Sequence, residues 1–192
     1  MALGLSLGKG ILSGSPGCRT DSINHSRTRG GFVLPEVFGK RWAGIYICTG
    51  SYRMIYVSRK EHFNAAHKLY NPAWTPEKNV EVFGPCANEN WHGHNFDLIV
   101  TIKGKPDPLT GFVVDLKKLS TLIRTEVIDK LDHKNLNLDV DFMQGKLASC
   151  ETLVMEIWKI LEAMLPTITS NGQLHSIRLY ETPRNYVEYF GE

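Results

Sequence analysis

Apolar and polar positions alternate most cleanly over residues 96–103. Phe96, Leu98, Val100 and Ile102 share one parity, Asp97, Thr101 and Lys103 the other, and Ile99 is the one apolar residue on the polar side. Successive side chains of a strand point to opposite faces, so this row predicts a strand with one buried face. Extended backward, the strand carries His92 and His94 on the buried parity. Met54–His67 is rich in strand formers and predicts a second strand, with Phe63, Ala65 and His67 on one face. Tyr70–Gly84 reads as a loop because Asn71-Pro72 and Trp74-Thr75-Pro76 interrupt it. Gly104–Gly111, with Pro106-Asp107-Pro108, reads as a turn into a partner strand at Phe112–Asp115.

The period then lengthens. Leu116, Leu119, Ile123, Val127 and Leu131 recur at three- and four-residue steps behind Asp115, a good cap, and predict a helix. Ser149 caps a second helix whose stripe is Leu153, Ile157, Ile160 and Met164, with Glu151 near its positive end and Pro166 at its stop. Two strands close the chain. His175, Ile177, Leu179 and Glu181 share a face of the first, and Pro183-Arg184-Asn185 turns into Tyr186–Phe190. The order β-β-β-α-α-β-β predicts an α+β domain, an antiparallel sheet with two helices on one side.

Composition narrows the class of partner. The 192 residues are 42% hydrophobic, and 22 basic and 20 acidic side chains leave a net charge of +2. That balance gives no reason to expect nucleic acid or a membrane surface, and no apolar stretch approaches the ~18 residues of a membrane span. Cys18, Cys48, Cys86 and Cys150 stand at wide, irregular spacings, which suits reduced thiols in an intracellular protein better than a disulfide framework. Residues 1–51 differ from the rest. Up to residue 50 they hold six basic side chains against two acidic ones. Rich in glycine and serine, they lack apolar periodicity, and we expect a disordered extension before a domain at 52–192. An organelle-targeting peptide is the competing reading, but the glycines oppose the amphipathic helix it requires, and a cytoplasmic location is expected.

His92-Gly93-His94 is the strongest chemical signal. Histidines two apart on a strand project from one face and can share a metal, the glycine between them sparing bulk. Such a pair is by itself as often structural as functional, so a third ligand is required, and His67 fits by face. Three neutral imidazoles leave zinc its full charge and an open position, the catalytic arrangement. His62, on the opposite parity, and His25, in the extension, are read as bystanders. Cys86 lies in a Gly/Pro/Asn-rich loop six residues before His92. Most lone cysteines are inert, but beside a dication a thiol ionises more readily and becomes a base or nucleophile. Cys150, at a helix start, competes for that role. Asp132-His133 is an acid–base pair in composition, yet neighbours on a strand point apart, and by itself such a pair is more often a helix-end cap and a surface histidine. Glu181, an acid on an apolar face, needs either a salt bridge or a ligand with paired N–H donors, such as a pterin edge.

Phe63-Asn64-Ala65-Ala66-His67, Phe83-Gly84-Pro85-Cys86 through His92-Gly93-His94-Asn95, Leu131-Asp132-His133-Lys134-Asn135-Leu136 and Tyr180-Glu181-Thr182 together resemble the 6-pyruvoyltetrahydropterin synthase family, in order, from about Tyr52 to Glu192. The resemblance implies the tunnelling fold, with trimers forming a barrel and two trimers stacking into a homohexamer with active sites between subunits. It implies one zinc per subunit on His67, His92 and His94, and Cys86 as the catalytic cysteine with Asp132 and His133 completing a proton relay. Glu181 would anchor the pterin, with Glu151 a second acid near it, and the substrate would be 7,8-dihydroneopterin triphosphate. Animal members usually carry glycine where Trp91 stands and threonine where Cys150 stands. The sister enzyme 6-carboxytetrahydropterin synthase, on the queuosine pathway, shares fold, zinc and substrate. Its shorter Cys-x3-His-Gly-His spacing contrasts with the five residues between Cys86 and His92 here. A pterin- or zinc-binding protein without catalysis is the third reading.

Overall fold

The computed structural model describes residues 53–192. The expectations for residues 1–51, and for Cys18, His25 and Cys48 within them, lie outside the described residues. Strands β1 (Ile55–His67) and β2 (His92–Gly104) form a long antiparallel pair, joined by a loop and helix α1 (Pro76–Phe83). β4 (Gly172–Tyr180) pairs with β2, and β5 (Tyr186–Tyr189) with β4, both antiparallel. The two-residue β3 (Lys134–Asn135) adds a parallel bridge to β1, giving the order β3-β1-β2-β4-β5. The α+β expectation therefore stands: four antiparallel strands make the sheet, with a fifth short edge.

Helices cover one face of that sheet. α2 (Leu116–Ile123) passes through a π-helical turn (Arg124–Ile128) into α3 (Asp129–Leu131), and α4 (Cys150–Met164) follows. Asp115 caps α2 by accepting from the Lys117 and Lys118 N–H groups, and Ser149 caps α4 by accepting from the Thr152 N–H. Leu119, Ile123, Val127 and Leu131 are buried in one core with Phe63, Leu98 and Ile177 of the sheet, while Leu116, at the helix start, is 47% exposed. The stripe of α4 is rotated from the expected one. Leu153, Val154, Ile157, Trp158 and Leu161 are buried, and Ile160 and Met164 only flank them. Phe63 and Phe96, opposite each other across β1 and β2, stack at 4.9 Å between centroids and floor the end of the sheet that carries the histidines.

Three further expectations are corrected. Residues 70–84 are not all loop, because α1 forms there. Thr75 accepts from the Lys78 N–H as cap and Pro76 sits in the first turn. No apolar stripe announces this helix, because its buried residue is Asn79, which donates to the Asn71 and Thr75 carbonyls and accepts from the Asn71 N–H at 2.6 Å. Phe112–Asp115 is not a strand. Its backbone bonds go elsewhere: the Phe112 carbonyl accepts from the Asp107 N–H and the Val113 carbonyl from the Thr169 hydroxyl. His175 leaves the face of Ile177 and Leu179, because the register shifts between Thr101 and Ile102 and turns His175 toward Tyr56 and Phe190.

One carboxylate is buried under the helices. Glu61, 7% exposed, accepts from the Ser120 hydroxyl and from Arg59 Nε, both at 2.8 Å, with Arg124 at 3.8 Å. Burial pushes its carboxyl up, but the Ser120 hydroxyl and the two guanidiniums outweigh that and hold it below the ordinary carboxylate range. A depressed folded value stabilises fully above the unfolded value of about 4.3 and is lost as pH falls through the folded one. Unfolding free energy should therefore drop on acidification from about pH 6 to about pH 3, and Glu61→Gln should flatten that slope. The same variant should be about 1–3 kcal/mol less stable at neutral pH, read by urea unfolding.

Candidate metal centre

Register builds the centre. His67 is directly opposite His92 across the β1–β2 pair, and His94 is opposite Ala65. All three side chains emerge on the helix-covered face at one end of the sheet. The candidate ligand nitrogens lie within 4.8 Å of one another. His67 is 2% exposed, and His92 and His94 are half-buried. Gly93, between them, faces the other side, so the space it spares lies along the open sheet face and not beside the triad.

The donor chemistry suits a cation. His67 Nδ1 is 2.7 Å from the Ala148 carbonyl. A carbonyl only accepts, so Nδ1 carries the proton and Nε2 presents a lone pair. That Nε2, both nitrogens of His92 and Nε2 of His94 are buried without a hydrogen-bond partner. Orphaned buried polar atoms are rare, and four on one cluster of imidazoles mark an electron-pair cage for a metal ion. Burial is the chief cause that holds His67 and His92 below the ordinary histidine range, reinforced by the neighbouring imidazoles. Neutral rings are the form that ligates.

The other expected residues divide between two spaces. A cavity of about 290 Å³ is lined by His67, Cys86, Cys150, Glu151 and Glu181. Glu181 follows β4 on the parity of Ile177 and Leu179, and its Oε1 comes within 3.4 Å of both His67 Nε2 and His94 Nε2. Cys86 is held by the short 3-10 turn Gly84–Ala87, whose Cys86 carbonyl accepts from the Leu69 N–H. Burial, aided by the Glu181 carboxylate, pushes the Cys150 thiol far above its ordinary value, so that thiol keeps its proton despite its place at the start of α4.

Asp132 and His133 lie elsewhere. His133 borders a depression on the open face with Asn64, Gly93 and His94, and Cys86 is absent from its lining. The objection that neighbours point apart falls, because the pair is not on a strand. His133 adopts the left-handed conformation (φ 58°), which folds its ring back to place Nδ1 3.0 Å from Asp132 Oδ2. The Asn64 N–H donates to Asp132 Oδ1 at 2.8 Å and, with His133, keeps the carboxylate below its ordinary range. Trp91 is also left-handed (φ 65°), a conformation glycine adopts without strain, and Lys68 Nζ sits 4.6 Å from its ring centroid. The Ala148 carbonyl that orients His67 was invisible in the sequence, since every residue carries a carbonyl.

Among the described residues no helix is long and apolar enough to cross a membrane. The family model described as 6-pyruvoyl tetrahydropterin synthase matches residues 56–192. The 6-pyruvoyl tetrahydrobiopterin synthase of Pongo abelii is 40% identical over 136 residues, 71% of this chain and 91% of that protein. A solved structure of the Caenorhabditis elegans 6-pyruvoyl tetrahydropterin synthase superposes with a TM-score of 0.67 at 33% identity, covering 73% of this chain and 98% of the other. The 6-carboxy-5,6,7,8-tetrahydropterin synthase of Bacillus subtilis is 26% identical over 136 residues, 69% of this chain and 83% of that protein. Sequence, fold and the three converging imidazoles agree: the chain belongs to the 6-pyruvoyl tetrahydropterin synthase family.

Proposed function

We propose that this chain is a zinc-dependent lyase converting 7,8-dihydroneopterin triphosphate to 6-pyruvoyltetrahydropterin with release of triphosphate. The observation that carries this reading is the cage of orphaned imidazole nitrogens opening beside a cavity that holds both a thiol and a carboxylate. His67, His92 and His94 would hold zinc, which suits three neutral nitrogens with one position left over. When bound, zinc supplies Lewis acidity at the side-chain hydroxyls and makes the adjacent C–H protons removable.

The chain's own groups do the rest. Glu181 accepts from the paired N–H groups of the pterin edge, with Glu151 a second acid in the same cavity. Cys86 takes a proton as general base, and Asp132 orients His133 to move protons on the other side. Elimination with internal redox needs no nicotinamide. Because Cys86 and His133 border different depressions of one subunit, the relay is best completed by the Asp132–His133 pair of a neighbouring subunit, in a hexamer of two trimers.

The five residues between Cys86 and His92, and the higher identity to pyruvoyl enzymes, favour that product over the carboxy one. Mass spectrometry after incubation with 7,8-dihydroneopterin triphosphate should show 6-pyruvoyltetrahydropterin and inorganic triphosphate. Acetaldehyde with the carboxy product would assign the sister activity instead, and unchanged substrate would leave a binding protein.

A further inference from the structure

Glu181 stands closer to the histidines than the anchoring of a ring requires. Its Oε1 is 3.4 Å from His67 Nε2 and 3.4 Å from His94 Nε2, yet neither nitrogen has a hydrogen bond. His67 Nε2 bears a lone pair, since the proton of that ring is on Nδ1 facing Ala148. An electron pair facing a carboxylate oxygen across this distance is repulsive unless a cation lies between them. In a tetrahedral zinc site with bonds of ~2.0–2.1 Å, neighbouring donor atoms sit about 3.3 Å apart. Oε1 therefore has donor-to-donor spacing to two of the three imidazoles.

The geometry points to Glu181 as the fourth ligand of the metal in the pterin-free protein, displaced when the pterin ring claims its carboxylate. This deepens the anchoring role assigned above, and its second half rests on that reading. Placement supports it. Glu181 borders both the cavity of Cys86 and the groove along the open sheet face that His94 also lines. Its backbone is pinned, with the Glu181 and Thr182 N–H groups donating to the Asn185 carbonyl, so the side chain can swing without moving the turn. A carboxylate on the metal keeps water from the open position until substrate arrives. Ring binding and opening of the metal then become one event, coupled in both directions.

The test uses Co²⁺ alone, added to metal-free full-length protein without pterin and followed by its visible absorption and by competition with a chelator. Glu181→Gln should change the band shape and weaken Co²⁺ binding at least about tenfold. Glu181→Asp, which keeps the charge but shortens the reach, should weaken it similarly, and serves if the glutamine variant fails to fold. Unsubstituted pterin, which has no side-chain hydroxyls to offer, should shift the wild-type spectrum toward that of the glutamine variant. Identical spectra and affinities in wild type and variants would overturn the proposal. Pterin binding to metal-free protein, measured separately, reads the anchoring role by itself. Its loss in Glu181→Gln with an unchanged cobalt spectrum would sink ligation and keep the anchor, and the reverse pattern would keep ligation and sink the anchor.

Discussion

Alanine at His92 is expected to empty the metal site and abolish turnover while leaving the fold intact. Neither ring nitrogen of His92 has a hydrogen-bond partner, so its removal breaks no bond that supports the structure. The ring is half-buried at the end of β2, where a smaller side chain is tolerated. What is lost is one of the three imidazole donors, and two imidazoles, even with the Glu181 carboxylate beside them, hold a metal ion less tightly than the full set. Lewis-acid stabilisation amounts to several kcal/mol, and at about 1.36 kcal/mol per factor of ten the rate should fall by at least about 10³. Elemental analysis and product formation on one sample check both halves, with circular dichroism for the fold. His62→Ala, on the opposite face of β1, should retain metal and rate. A His92→Ala protein that still carries about one tightly held ion per subunit would show that the triad is not the site. His67→Ala should behave the same way but also lose stability, since it removes a buried ring and strands the Ala148 carbonyl.

Cys86→Ala should do the opposite with the metal: full occupancy, no turnover. The thiol lines the cavity with His67 and Glu181 but is not one of the clustered donors. Removing a positioned general base costs typically about 10²–10⁴ in rate, and no other thiol is suited to replace it. Cys150 shares the cavity, but burial and the Glu181 carboxylate keep it protonated, so it is a poor base. Single-turnover product formation and metal content decide the matter. Undiminished turnover in Cys86→Ala would remove the thiol from the mechanism. Binding of the pterin triphosphate without turnover, in wild type and variant alike, would favour the non-catalytic alternative.

Much of this was legible along the chain because it is written in periods. Alternation over 96–102 marked the buried row of β2, and the same parity carried back to His92 and His94. The three- and four-residue steps behind Asp115 and Ser149 located both long helices and their caps. Where polar side chains do the structural work, period reading failed. α1 is held by the amide of Asn79 and not by an apolar face, and the bulge opposite Thr101 and Ile102 rotated His175 away from its expected neighbours.

By itself the sequence determined which face His67, His92 and His94 occupy, because side-chain direction along a strand without a bulge follows counting by twos. It did not determine that His67 would meet His92, since that follows from the register of two strands joined by 24 intervening residues. Nor did it reveal the left-handed turn that brings His133 onto Asp132, or the Ala148 carbonyl that sets the tautomer of His67. Those are matters of distance between segments far apart in the chain or of a single backbone angle. Only packing of the whole sheet against its helices decides them.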